Sequence, residues 1–207
     1  MQMTRLSVCT ALALVLAGCR ASGTVVIIEV PGADGRDTPV ADQAFVVLPY
    51  DRDSMIGVIG APWVASRPDT IPMVQLLDTL RAAYARVLAT PPAQRAAAKI
   101  GLDRERNAVE ARLAPLRAAQ HAWQDLAYRS YDSVTFALVK RLARDPFVDT
   151  TDATGMTRVA PSRSGPWWVT ATAWDAADPY SEWYWNLPLT GDTLRLTAAT
   201  ARHRHRF

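Results

Sequence analysis

The sequence predicts an α+β fold in which an antiparallel β-assembly is interrupted by a helical hairpin of two or three helices. Three observations predict it. Runs rich in β-branched residues occupy positions 24–30 and 43–50. Apolar residues then recur at three- and four-residue steps across positions 70–145. β-forming runs return after position 166. Two strands alone make a marginal sheet, so the N-terminal pair is expected to share a core with the C-terminal strands. Two separate units, one β and one helical, are the alternative.

In chain order, Thr24, Val25, Val26, Ile27 and Ile28 open the first strand, and Pro31 and Gly32 end it. Residues 31–42, rich in Gly, Asp and Pro, read as a loop. Residues 43–50 form the second strand, with Pro49 near the end, where a missing donor is tolerated. Asp51, Arg52 and Asp53 turn the chain, and residues 55–59 read as a short strand or a buried loop. The first β part is therefore 19–69.

Val74, Leu77, Leu80, Tyr84, Val87 and Leu88 mark an amphipathic helix. Asp69 or Thr70 can cap it, with Pro72 in its first turn. Thr90, Pro91 and Pro92 end it. Val109, Leu113, Leu116, Gln120 and Trp123 then form a heptad-like seam, either a partner-binding face or the closure against the preceding helix. Pro115 lies inside that seam and should kink or split the helix. The pattern resumes through Tyr131, Val134, Leu138 and Leu142 and stops at Asp145 and Pro146, so the helical insertion is 70–146.

Residues 149–165 are polar and read as a loop. Three strands follow, at 167–174, 181–189 and 193–197, separated by turns at 175–180 and 191–192, and read as a β-meander. The second β part is 147–201, and 202–207 is a basic tail, either touching anionic headgroups or a solvated end.

Residues 1–18 carry a basic start, an apolar run and small residues, the pattern of a secretory signal. The run from Leu6 to Gly18 is shorter than the roughly 20 residues a membrane span needs. Leu16, Ala17, Gly18 and Cys19 resemble a bacterial lipobox. That resemblance implies cleavage before Cys19, lipidation of its sulfur, and a protein anchored in the cell envelope on its periplasmic or extracellular face. Arg20 after the cysteine favours the outer membrane over the inner. Residues 20–23 reach about 14 Å at roughly 3.3–3.6 Å each, so the body should lie close to its membrane. Cys9 leaves with the signal and Cys19 is spent on lipid, which leaves no disulfide in the mature chain.

The first β part also resembles carboxypeptidase regulatory-like, or transthyretin-like, domains. These link two strands by a Gly-x-Pro-Val-x-x-Ala-x-Val segment. Pro39, Val40, Ala44 and Val46 fit, whereas Asp37 and Thr38 replace the usual glycine. Gly165 to Ala173 fits a later strand of the same domains. The resemblance covers a minority of the chain. It implies an Ig-like sandwich with a structural or binding role, and the helical insertion departs from it.

A net charge of +3 implies no polyanionic partner, so no nucleic acid is expected. Asp51, Asp53, Asp175, Asp178 and Glu182 lie in predicted turns but lack EF-hand spacing, and no metal site is expected. His121, His203 and His205 lack metalloprotease spacing. No Gly-x-Ser-x-Gly, P-loop or dinucleotide motif is present, and neither a cofactor nor an enzymatic role is expected. The candidate contact surface is aromatic: Trp167, Trp168, Trp174, Tyr180, Trp183, Tyr184 and Trp185. These rings either build a platform for a ligand or partner or fill the core. The expected role is a membrane-anchored scaffold or accessory subunit that binds other membrane or periplasmic proteins. The alternative is a ligand-binding lipoprotein using the aromatic cluster for a saccharide or peptide.

Overall fold

A computed structural model of the chain describes residues 23–32 and 34–206. The chain runs β1 (Thr24–Pro31), β2 (Asp37–Pro39), β3 (Ala44–Leu48), α1 (Arg52–Gly60), α2 (Ile71–Ala89), α3 (Arg95–Ala127), α4 (Tyr131–Leu142), β4 (Phe147–Thr150), β5 (Met156–Val159), β6 (Trp168–Trp174), β7 (Ser181–Pro188), β8 (Thr193–Leu196) and β9 (Arg202–His205). The fold is α+β, with two sheets. In the first, β2 and β5 pair antiparallel with successive halves of β1, and β8 runs parallel to β1. The second has the antiparallel order β4-β3-β6-β7-β9. Strand alternation sends Val26 and Ile28 of β1, Phe45 and Val47 of β3, and Val169 and Ala171 of β6 into one apolar core. Trp185 and Leu196 join the same core, so the two sheets share it.

Among the described residues, helices α1 to α4 all lie between β3 and β4, two strands that pair with each other. Met73, Leu76, Leu77 and Leu80 of α2 pack on Val109 and Leu113 of α3, forming a second core. The α3 seam therefore closes against its neighbour. Tyr180, from the turn before β7, packs on this second core, and Arg81 lies 3.8 Å from Asp178 beside it. These contacts hold the helices to the second sheet. At the far end of α3, a Cβ added to Gly60 would lie 2.9 Å from Tyr128 Cε1, so α1 and Tyr128 meet where a side chain does not fit. Trp123 Nε1 donates to the Trp63 carbonyl at 3.1 Å nearby.

Several sequence expectations are corrected. Residues 55–59 are helical, and Asp51 to Asp53 are a helix start. The Asp51 carboxylate accepts from the backbone N–H groups of Asp53 and Ser54, which nucleates α1. Helix therefore begins at Arg52, well before position 70. Helix α3 runs through Pro115 from Arg95 to Ala127, and the chain breaks instead at Tyr128 to Ser130. The loop at 31–42 contains β2. The loop at 149–165 contains β4 and β5, joined by a turn at Gly155 (φ +73°) in which Asp152 accepts from Thr154 and Met156. The last three strands are not a meander. Pro188 ends β7, and Thr24 Oγ1 donates to the Gly191 carbonyl at 2.8 Å, so β8 crosses to the first sheet. Residues 202–205 of the basic tail form strand β9, paired with β7.

Candidate binding cleft

Strand β9 reads Arg202, His203, Arg204, His205. Its register sets Arg202 opposite Tyr184 and Arg204 opposite Glu182, on the sheet face away from Trp183 and Trp185. His203 takes the other face, where its ring lies 4.5 Å from that of Trp183 and Nε2 is 2.8 Å from Asp175. The arginines overhang Tyr184. The Arg204 guanidinium is 4.1 Å from the phenol ring centre and pairs with Glu182 at 2.7 Å, and Arg202 pairs with Asp53.

Helix α1 is clamped to the same face. Asn186 donates to Asp51 at 2.6 Å, Tyr184 donates its hydroxyl to Asp53 at 2.6 Å, and Arg52 donates to the Tyr184 oxygen at 3.3 Å. Burial and the bond to Asp53 both push the Tyr184 phenol up from its ordinary range. Burial and a hydrogen bond with Tyr50 raise Tyr131 further, so both phenols stay neutral. Burial disfavours the Arg52 charge, but the oxygens of Tyr184 and Tyr131 outweigh it and raise its pKa.

Desolvation pushes Asp51 up, but hydrogen bonds from the Ser54 side chain, from Asn186 and from the Ser54 and Asp53 backbone pull it below its usual value. A depressed carboxylate adds stability above its unfolded pKa of about 3.8 and loses it as the pH falls through the lower folded value. Asp51→Ala is expected to cost about 0.5–2 kcal/mol, typical of a lost N-cap. Urea unfolding at pH 7 and pH 3 checks this, and the difference between variant and wild type should shrink at the lower pH.

Between this face and the helices lies a cleft of about 1180 Å³. Arg52, Arg67, Arg129 and Arg206 line it, and none has a carboxylate partner among the described residues. Arg67 lies 5.6 Å from the Trp123 ring centre and Arg129 lies 6.0 Å from that of Trp63, so indoles hold these side chains in place. Asp125 and Asp132 also line the cleft without an ion-pair partner among the described residues. Gln120 lies in its floor, 2% exposed, and its Oε1 has no hydrogen-bond partner among the described residues.

The predicted aromatic residues do not form one surface: three of the seven gather in the shared core and the rest are divided. Trp167 and Trp185 are in the shared core, with Nε1 donating to the carbonyls of Arg163 and Thr197. Trp183 is half-buried against that core. Trp168 is half-buried on the opposite face, and Tyr180 packs on the helical core. Trp174 is 66% exposed, with the Arg206 guanidinium 3.8 Å from its ring centre. Of the seven, Tyr184 alone lines the cleft. Cys19 lies outside the described residues.

Ser181, Asp178 and His205 also meet. Ser181 Oγ donates to Asp178 at 2.8 Å and lies 3.3 Å from His205 Nδ1. In a hydrolytic triad the imidazole stands between hydroxyl and carboxylate. Here the hydroxyl stands between them, its proton goes to the carboxylate, and Ser181 is 1% exposed. The group is a structural clasp between the turn and β9.

Sequence reasoning missed the arginine cleft. The alternation of Arg202, Arg204 and Arg206 was its one local signal, a period-two pattern that fits a strand better than a frayed end. Among the described residues, no helix is long and apolar enough to cross a membrane. The chain matches no protein-family model, and no curated protein and no solved structure is significantly similar to it.

Proposed function

We propose that this chain is a lipid-anchored, non-enzymatic binding protein of the cell envelope, a scaffold or accessory subunit that holds an acidic envelope component in its arginine cleft. The observation that carries this reading is the convergence of Arg52, Arg67, Arg129 and Arg206 on one cleft without carboxylate partners among the described residues. Guanidinium groups present rigid donor forks that suit carboxylates and phosphates. Two sheets over one core support reading the β part as an Ig-like or transthyretin-like sandwich, from which the helices between β3 and β4 depart. An aromatic platform gains no support, because its rings are divided between two cores and two sheet faces.

The anchor supplies position. Cys19→Ser is expected to abolish incorporation of radiolabelled palmitate and release the protein from the membrane fraction. Arg67→Gln/Arg129→Gln is expected to leave anchoring intact while losing the acidic partner. A Cys19→Ser variant that still incorporates palmitate and stays membrane-bound would refute the anchoring. Unchanged partner binding in the double variant would refute the cleft.

A further inference from the structure

We propose that the component held in the cleft is an oligosaccharide carrying carboxylates, a chain of uronic acid units. This rests on the reading of the cleft as an acidic-ligand site and names its ligand class. Arg67, Arg129 and Arg206 come from three separate segments, and all three line the cleft. The same cleft is lined by acceptors: Asp125 and Asp132, which have no ion-pair partner among the described residues, and Gln120, whose buried Oε1 has no hydrogen-bond partner among them. A dense polyanion would satisfy the arginines but bring charge against both aspartates and leave Gln120 without a donor. A uronic acid chain carries one carboxylate per unit, separated by hydroxyl groups that donate. Those hydroxyls suit the aspartates and the Gln120 amide, whose two ends can exchange by rotation. An acidic peptide carries a similar charge spacing but only one backbone N–H per residue. The cleft volume of about 1180 Å³ also exceeds the needs of a single anion.

The test is calorimetric titration of the full chain in detergent with tetragalacturonate, the neutral tetrasaccharide maltotetraose, and tetraglutamate. Tetragalacturonate is expected to bind, with each of the other two at least about tenfold weaker. Arg67→Gln/Arg129→Gln should weaken tetragalacturonate by about tenfold or more, since charge-assisted pairs to carboxylate are lost. Gln120→Leu should weaken it by roughly fivefold, the scale of one hydrogen bond, and leave tetraglutamate unchanged. Arg206→Gln, on a different element, gives an independent check if the double variant melts early. Tetraglutamate binding as tightly as tetragalacturonate would overturn the saccharide class and leave the acidic-ligand reading standing. Failure of both acidic probes would overturn both. Equal binding of maltotetraose, or tetragalacturonate binding untouched in every arginine variant, would overturn the proposal.

Discussion

Trp185→Ala is expected to lower the stability of the chain by about 3–5 kcal/mol, the range for truncating a buried Trp. Trp185 is 1% exposed and sits where both sheets meet, among Val26, Val47 and Val169. Truncation removes its contacts with both layers and leaves the Thr197 carbonyl without the indole N–H that reaches it at 2.9 Å. For a chain of this size each kcal/mol moves the melting temperature by roughly 2–4 °C. Trp185→Phe keeps much of the ring volume and loses the hydrogen bond, so its cost should be nearer about 1–3 kcal/mol. Denaturant midpoints for the pair measure this. A loss below about 1 kcal/mol for the alanine variant, the level of an ordinary substitution, would contradict the shared core.

Leu80→Ala is expected to cost about 2–5 kcal/mol, with the damage confined to the helices. Leu80 is fully buried in the second core, between α2 and α3. The link from this core to the sheet runs through Tyr180 and the Arg81–Asp178 approach, which is a narrow contact. Hydrogen exchange should therefore show faster opening of α2 and α3 amides while those of β3 and β6 keep their protection. Equal loss in both regions would show that the two cores open together.

What the sequence revealed follows from where each signal was stored. The run from Thr24 to Val30 and the Trp168–Trp174 strand show β-branched or aromatic density within one element, and both are strands. The α2 periodicity is equally local, and its end at Thr90 to Pro92 is written in the residues. Four-residue strands such as β4 and β5 are too short to display alternation, and the polar turn at Asp152 to Gly155 dominates their composition. Helix α1 has apolar residues in a run rather than a stripe, so only the Asp51 cap marks it. The switch of β8 to the first sheet depends on hydrogen bonds from Thr24 and Val25, far away in sequence.

The cleft was hidden for a different reason. A net charge of +3 averages over the whole chain, whereas Arg52, Arg67, Arg129 and Arg206 are gathered from positions that only the fold brings together. The aromatic cluster had the opposite fate. Adjacent in sequence, its rings were separated by strand alternation: Trp183 and Trp185 face the shared core, and Tyr184 faces α1.

The gathering of these arginines around one ligand can be watched at the guanidinium groups themselves. Nuclear magnetic resonance of arginine Nε–Hε signals, recorded on the full chain in detergent during titration with tetragalacturonate, reports each side chain separately. Arg67, Arg129, Arg206 and Arg52 should shift together and saturate, while the exposed Arg36, remote from the cleft, stays in place. Shifts spread evenly over surface arginines such as Arg36, or no shift at the four cleft arginines, would contradict a binding site between β9 and the helices.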